Sequence, residues 1–537
     1  MATKTDYVPL RDSKSELRPD SHPAGPINRS EVATITVRVR SVGDVQALER
    51  KVYELSKEKL EDRTYLTYEQ LVEQYGASEE DLNLVEQHAQ KYNVTVVRRS
   101  EAERSIVLRG TLGDLLDAFP ADVKMCDHCT GTYRAQQGEI YIPQHLNDVI
   151  IGIFGFDTRP NLRHGFCQQA VAASGPGGAN GVAATEYAKR YKFPTTANDV
   201  PLDGSGQTIA IIELGGGFQT DDLKDYFKEI GIPLPNVVYV DAGIGKAPVV
   251  KVKDDLVAWY DGEVMLDIEA AGAVAPKAEI AVYFAHDAEN QSFIAAIRAA
   301  VHDTQRKPSV ISISWGSPES PANQQAINEF HQLFLDAAAL GITVCVASGD
   351  YGTADEAAKD WDGHIHVDHP AADPLVLSCG GTQIDEHGND VVWNGDGCAS
   401  GGGISKIFPV PEYQLGANLP ASIDKGEPSH GRGVPDIAMC AVNYFVRSDG
   451  NEENSGGTSA VAPLMAALVA RLNQAKKKNV GFMNPFFYAN AHKGIVHDVT
   501  VGDNAIPGQS PGYKAGPGWN ACTGLGTVDG MAILKNL

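Results

Sequence analysis

Ser459 stands in Asn454-Ser-Gly-Gly-Thr-Ser-Ala-Val-Ala-Pro463, a hydroxyl placed after two glycines and before a run of small residues that suits a helix. Gly456 and Gly457 permit a tight path and the close approach of another chain. The N-H groups and positive end of the expected helix would help hold an oxyanion formed at the Ser459 side chain. Pro463 is expected in the first turn of that helix, where it loses no intrahelical hydrogen bond. The stretch therefore suits a nucleophilic serine, and equally a glycine turn capped by a serine. A nucleophile needs a base, and Asp261-Gly-Glu-Val-Met-Leu-Asp-Ile-Glu-Ala-Ala-Gly-Ala-Val-Ala275 offers one. Read as a helix, it turns Val264, Ile268 and Ala271 to a core and stacks Glu263 on Asp267 at i, i+4. Two like charges so placed repel, and they can share a proton and push one pKa up, which makes a base useful in acid. The plainer reading is a solvated carboxylate face. Asp350, in Ala347-Ser-Gly-Asp-Tyr-Gly352, suits a turn or helix cap, or, held neutral, a hydrogen-bond donor to a developing oxyanion.

These groups need elements to position them. Thr208–Glu213, Glu279–Phe284, Ser309–Ser314, Ile342–Ala347 and Leu375–Ser378 are short apolar runs separated by helical segments, the pattern of buried parallel strands in an α/β sheet. Sites in such sheets gather beyond the carboxyl ends of the strands, where Glu213, Trp315 and Asp350 lie. Glycines 215–217, 380–381 and 401–403 are expected in loops that another backbone passes closely. Ahead of this region, residues 1–30 suit a flexible leader. Val32–Arg40 alternates as a strand, residues 43–59 and 78–92 have helical spacing, and Val94–Val97 and Ser105–Arg109 are strand-like. A helix at Gly113–Phe119 and an amphipathic stretch at His145–Phe156 complete an α+β unit over residues 1–158. Residues 159–181 form a small-residue linker, a hinge or a processing site, with the cut expected between about 170 and 185.

The chain has 537 residues, 43% of them hydrophobic, and no apolar run able to span a bilayer. Its start lacks an apolar h-region, so no secretory signal is readable there. The formal net charge of -24 argues against nucleic acid or an anionic membrane as partner. Residues 1–180 carry 21 Lys/Arg and 26 Asp/Glu against 24 and 43 in the remainder, so the acidity sits in the second part. An acidic surface of that kind is compatible with work in acid. Eight cysteines include one close pair, Cys126-Asp-His-Cys129; without a second pair, core thiols or one local disulfide fit better than zinc. His364-Ile-His-Val-Asp-His369 likewise lacks a clean ligand pattern.

Gly-Gly-Thr-Ser459-Ala-Val-Ala-Pro, Asp-Gly-Glu263-Val-Met-Leu-Asp267-Ile-Glu and Ser-Gly-Asp350-Tyr-Gly resemble, in order and spacing, the sedolisins or serine-carboxyl peptidases. Ile-Ala-Ile-Ile-Glu213-Leu-Gly-Gly-Gly, Ser-Ile-Ser-Trp315-Gly and Ala-Gly-Pro-Gly-Trp-Asn520-Ala-Cys-Thr-Gly-Leu-Gly526 bring it nearest to the kumamolisin-like branch. The likeness spans about Thr185–Leu537, with a looser match of the N-terminal part to the family's prosegment. It implies a subtilisin-like peptidase domain at 182–537 with a parallel central sheet, preceded by a ferredoxin-like α+β prodomain that covers the cleft as an intramolecular inhibitor. It further implies Ser459 as nucleophile, Glu263 as general base and acid, Asp267 as the carboxylate orienting it, and protonated Asp350 beside the Ser459 N-H in the oxyanion hole. Glu213 and Trp315 match residues that extend the carboxylate network. The family's single calcium site maps to the Asp498 carboxylate, the carbonyls of Val499, Gly516 and Gly518, and a side-chain oxygen at 520. Asn520 stands here where Asp is usual, which keeps an oxygen and removes a negative charge.

The resemblance thus implies a monomeric, self-processing acid endopeptidase acting on proteins or peptides outside the cell. Three rivals are a tripeptidyl-peptidase type of exopeptidase, an inactive binding relative, and a Ser-His-Asp subtilisin. The last shares Gly-Thr-Ser-Ala, but its His-Gly-Thr helix start has no counterpart in this sequence.

Overall fold

The computed structural model describes residues 6–18, 21–128, 131–160, 163–164, 181–243, 255–285, 287–320, 324–358, 360–424 and 430–537. In the N-terminal part, β1 (Val32–Val39), α1 (Val45–Lys57), α2 (Tyr68–Tyr75), α3 (Glu79–Gln90), β2 (Thr95–Ser100), β3 (Ser105–Thr111), α4 (Leu112–Ala118) and β6 (Ile150–Phe154) follow one another, with a hairpin β4 (Asp122–His128) and β5 (Gly131–Gln137) inserted before the last strand. The sheet runs β2-β3-β1-β6, antiparallel throughout, which is the ferredoxin-like order. Asp44, Thr67, Ser78 and Thr111 cap the four helices with side-chain oxygens, so each helix starts where its sequence supplies an acceptor.

Two expectations change here, and one feature is new. The described part of the leader is pinned, not loose: Tyr7–Pro9 pairs with Tyr141–Pro143, His22–Pro23 with the hairpin, and Leu10 is buried. Edge strands saturate backbone groups whatever their side chains, so a polar, Pro-rich composition does not exclude them. His145–Phe156 is a 3₁₀ turn leading into β6, and the β4–β5 hairpin, with no strict alternation to announce it, went unforeseen.

The C-terminal part contains α5 (Ala184–Arg190), β8 (Thr208–Glu213), α6 (Thr220–Glu229), β9 (Asn236–Asp241), α7 (Asp255–Val274), β10 (Glu279–Phe284), α8 (Asn290–Val301), β11 (Val310–Ile313), β12 (Trp315–Pro318), α9 (Gln324–Ala339), β13 (Thr343–Ala347), β14 (Asp368–His369), β15 (Leu377–Ile384), β16 (Ile437–Cys440), β17 (Tyr444–Ser448), β18 (Asn451–Ser455), α10 (Thr458–Lys476), β19 (Val496–His497) and β20 (Thr527–Val528); a short β7 (Arg163–His164) precedes them. The central sheet runs β9-β10-β8-β11-β13-β15-β16-β20-β19, parallel from β9 to β20. One apolar cluster joins α5, α6, α7 and α10 to one face, and a second joins α8 and α9 to the other. Gly380 and Gly381 lie within β15 and not in a loop: Pro435, Trp393 and Ala441 press where their side chains would be.

The N-terminal sheet docks on α8 and α9, and Leu48, Val52, Leu71 and Phe154 share the apolar cluster of those helices. Arg38 Nε donates to Glu329 Oε2 at 2.6 Å and Arg298 Nη2 to Glu329 Oε1 at 2.8 Å. Two turns along α9, Arg104 Nη2 donates to Asp336 Oδ2 at 2.6 Å, with His302 Nε2 3.3 Å from the same oxygen. All six side chains are buried, so the guanidinium–carboxylate pairs are desolvated charges whose attraction depends on keeping every partner. His331 bridges Asp373 at 2.9 Å and Glu49 of α1 at 3.7 Å, and the Tyr65 hydroxyl donates to Val480 O at 3.0 Å while its ring rests on Gly341 and Gly481.

Candidate active site

Glu213 ends β8, Trp315 lies two residues beyond β11 as the first residue of β12, and Asp350 lies three residues beyond β13, so three parallel strands deliver them to one edge of the sheet. Helix α7 brings Glu263 and Asp267 to the same edge, and Ser459 is the second residue of α10. All six side chains are at most 1% exposed. Helix α7 is not amphipathic as expected: residues 262–275 are buried all round. Packed between the sheet, α10 and the β17–β18 hairpin, it gives its carboxylates no solvated face.

The hydrogen bonds show who holds whom. Ser314 donates to the Asp267 carboxylate at 2.9 and 3.0 Å and lies 3.3 Å from the Ser459 carbonyl oxygen. That carbonyl is available because Pro463 is the sixth residue of α10, in the second turn and not the first, and has no N-H to return to Ser459 four residues earlier. Asp350 Oδ1 accepts from the N-H and hydroxyl of Thr458 at 2.8 and 2.7 Å, capping α10 from across the fold. Trp315 Nε1 donates to Glu213 Oε2 at 2.9 Å. Ser314 and Thr458 were not singled out in the sequence, although both lie inside the motifs that were. A hydroxyl adjoining a nucleophile or a strand-end tryptophan was the available signal.

Among the described residues neither Glu263 oxygen nor Ser459 Oγ forms a hydrogen bond. Burial pushes the Glu263 carboxyl well above the usual carboxylate range and the Asp267 and Asp350 charges add to it, while the nearby Ser459 hydroxyl pulls the other way. Asp267 is raised by burial and then by Glu213, against the Ser314 hydrogen bond. Glu213 is raised by burial and then by Glu263, against Trp315. Three carboxyls that repel one another in a dry pocket favour holding protons between them, which is the condition for one to act as base and acid in turn.

Strand β7 pairs antiparallel with β12, Arg163 opposite Gly316 and His164 opposite Trp315, so the segment leaving the N-terminal domain lies along the rim of this cluster. Pro160 is bridged to Glu289 just before it. Of the positions expected to be cut, about 170–185, those up to 180 lie outside the described residues.

The expected cation ligands meet near the C-terminus in a different way. The carbonyls of Val499 and Gly516 converge on the Asn520 amide nitrogen, each at 3.2 Å, while Asp498 Oδ2 accepts the Gly518 N-H at 3.1 Å. An amide donor occupies the centre those oxygens share, so as arranged these residues do not fit a bound cation. The three histidines of 364–369 face separate partners: Asp424, Asp362, and the rings of Phe330 and Phe408. Cys126 is a buried free thiol of β4, and Cys129 lies outside the described residues.

Residues 19–159 match the pro-kumamolisin activation domain, and residues 258–496 match the subtilase family. The chain is 40% identical to kumamolisin of Bacillus sp. (strain MN-32), over 97% of this chain and 94% of that protein. It is 28% identical to sedolisin of Pseudomonas sp. (strain 101), over 87% and 80%, and 27% identical to tripeptidyl-peptidase sed5 of Aspergillus fumigatus, over 89% and 88%. The solved structure of Pseudomonas sedolisin complexed with two molecules of pseudo-iodotyrostatin superposes with a TM-score of 0.56 at 28% identity, covering 67% of this chain and 98% of that one.

Proposed function

The chain belongs to the sedolisin family of serine-carboxyl peptidases, with an activation domain ahead of a subtilisin-like peptidase domain, and from that membership we propose a zymogen that matures in acid to an endopeptidase. Ser459 attacks a peptide carbonyl as Glu263 takes its proton, and Glu263 returns that proton to the leaving amine. The acyl-enzyme is then hydrolysed by the same groups in reverse. Asp267, held by Ser314, orients and repels Glu263 and so keeps it basic. Asp350, anchored on Thr458 at the head of the nucleophile helix, is placed to donate to the oxyanion in its acid form. A carboxylate base stays effective in acid, where a histidine is already protonated.

The pairing of β7 with β12 carries the endopeptidase reading. A chain with a whole domain ahead of it runs onto the rim of the cleft, so the non-primed side accepts an extended polypeptide. A tripeptidyl peptidase must instead stop its substrate's N-terminus three residues from the cut bond, and relatives of that type are the reason to test it. We propose the first self-cut within a few residues after His164, upstream of the small-residue run, with the β7–β12 pairing as its support. Comparing an internally quenched peptide with blocked ends against a free-amine tripeptide reporter decides between the two: cleavage of the reporter alone would sink the endopeptidase assignment.

Acid release follows from the docking pairs. Burial raises Asp336, but Arg104 and His302 outweigh it and hold the carboxyl down at about 2. Glu329 is raised by burial and lowered on balance by Arg38 and Arg298. Depressed carboxylates contribute docking stability above their ordinary pKa values and lose it as the pH falls toward the docked values. The window therefore opens below about pH 4. The full chain and its Ser459→Ala variant, moved from neutral to about pH 3 and followed by mass spectrometry, test the scheme. The parent is expected to shed its N-terminal domain and gain activity, and the variant to stay intact and inert. We place the mature enzyme outside the cell; among the described residues no helix is long and apolar enough to cross a membrane.

A further inference from the structure

Asn520 is buried where three C-terminal loop segments cross, and both ends of its amide are committed. Oδ1 accepts from the N-H groups of Cys522 and Thr523 and from the Thr523 hydroxyl, each at 3.1 Å. Nδ2 donates to the carbonyls of Val499 and Gly516. The backbone of Asn520 closes the same turn, its N-H donating to Gly524 O at 3.0 Å and its carbonyl accepting the Gly524 N-H at 2.8 Å.

These neighbours fix which way the amide points. Turned over, it would set an N-H₂ group against two backbone N-H groups and bring an oxygen against two carbonyls, so all four backbone contacts would change from attraction to repulsion. A cation at the centre of the Val499 and Gly516 carbonyls would have to take the place of the amide hydrogens. To ligate it, Asn520 would need the very oxygen that holds the Cys522–Thr523 turn. An aspartate at this position meets no such conflict. One carboxylate oxygen accepts from the turn, and the other joins the two carbonyls and Asp498 in an oxygen cluster that requires a positive charge.

We infer that in this chain the Asn520 amide takes the place of the cation, and that the peptidase domain closes its C-terminal loops without calcium. The two amide hydrogens supply, without net charge, the positive partners that a calcium ion would otherwise give the carbonyls. The exposed Asp498 is satisfied locally by the Gly518 N-H.

The test uses the full chain in the inert Ser459→Ala background, with and without Asn520→Asp. Each protein is equilibrated with calcium chloride, gel-filtered, analysed for bound metal, and melted in calcium and in a chelator. The expected result is no stoichiometric calcium on the parent and an unchanged melting temperature, with one calcium per chain and a chelator-sensitive melt for Asn520→Asp. Calcium retained by the parent at one per chain, or a parent that melts lower in chelator, overturns the inference. An Asn520→Asp protein that folds and still ignores calcium overturns it too, since the carbonyl cluster would then not be a cation pocket awaiting its charge. The parent measurements stand alone if that variant does not fold.

Discussion

Replacing Glu213 with Gln removes the charge that, after burial, does most to raise Asp267. Asp267 then keeps its charge to lower pH, and that charge is what, after burial, does most to raise Glu263, so the base ionises at higher pH and the acid limb of kcat/KM is expected to move to higher pH. Trp315→Phe should act in the same sense and by less, since losing the indole N-H that favours ionised Glu213 leaves this carboxyl neutral over more of the pH range. Profiles on an internally quenched peptide check both; superimposable curves would show that Glu213 is only a packing group. At this scale the sequence was legible where chemistry is local: Ser459 after two glycines, Glu263 and Asp267 one helical turn apart, Asp350 after a strand. Ser314, Thr458 and the amide orientation of Asn520 were not, because a hydroxyl or amide takes its meaning from a partner far away in the chain. Asn520 could be marked as a departure, but which of its two atoms faces the carbonyls depends on a turn that only the fold assembles.

Helix α10 shows what a single backbone atom does for the site. With Ala at position 463 the helix gains an N-H that competes with Ser314 for the Ser459 carbonyl, and Ser314 is the group that holds Asp267. Pro463→Ala is therefore expected to raise the melting temperature, since Pro costs a helix interior about 3 kcal/mol relative to Ala. It should also lower kcat by roughly tenfold through misplacement of the catalytic groups, with KM little changed. A variant that gains stability at full activity would remove Pro463 from the argument. The strands of the parallel sheet were legible because continuous apolar runs have few other uses. On helix α7 only the solvated carboxylate face fails, because periodicity marks a half-buried helix, and one packed on every side has no face left to water.

The two domains meet through charges that composition does not reveal. Arg38 lies in Val37-Arg-Val-Arg40, an alternation that suits a solvated strand face, yet it is buried against Glu329. Arg38→Met with Arg104→Met breaks both buried pairs from the N-terminal side and leaves the mature enzyme unaltered, with Glu329 still paired to Arg298. Losing a partner from such a pair costs on the order of 3 kcal/mol. The double variant should therefore shed its N-terminal domain, and become active, at higher pH than the parent, as followed by mass spectrometry across a pH series. Release at the parent's pH would mean that docking rests on the apolar contacts instead. The continuity of β7 with the docked domain also sets how activation depends on amount. Before the cut, the covering domain is held at its own site at an effective concentration of order millimolar. After it, the domain is a separate solute no more abundant than the enzyme it leaves. Crowded precursor would stay silent even when nicked, and the same molecules would switch on by dilution alone.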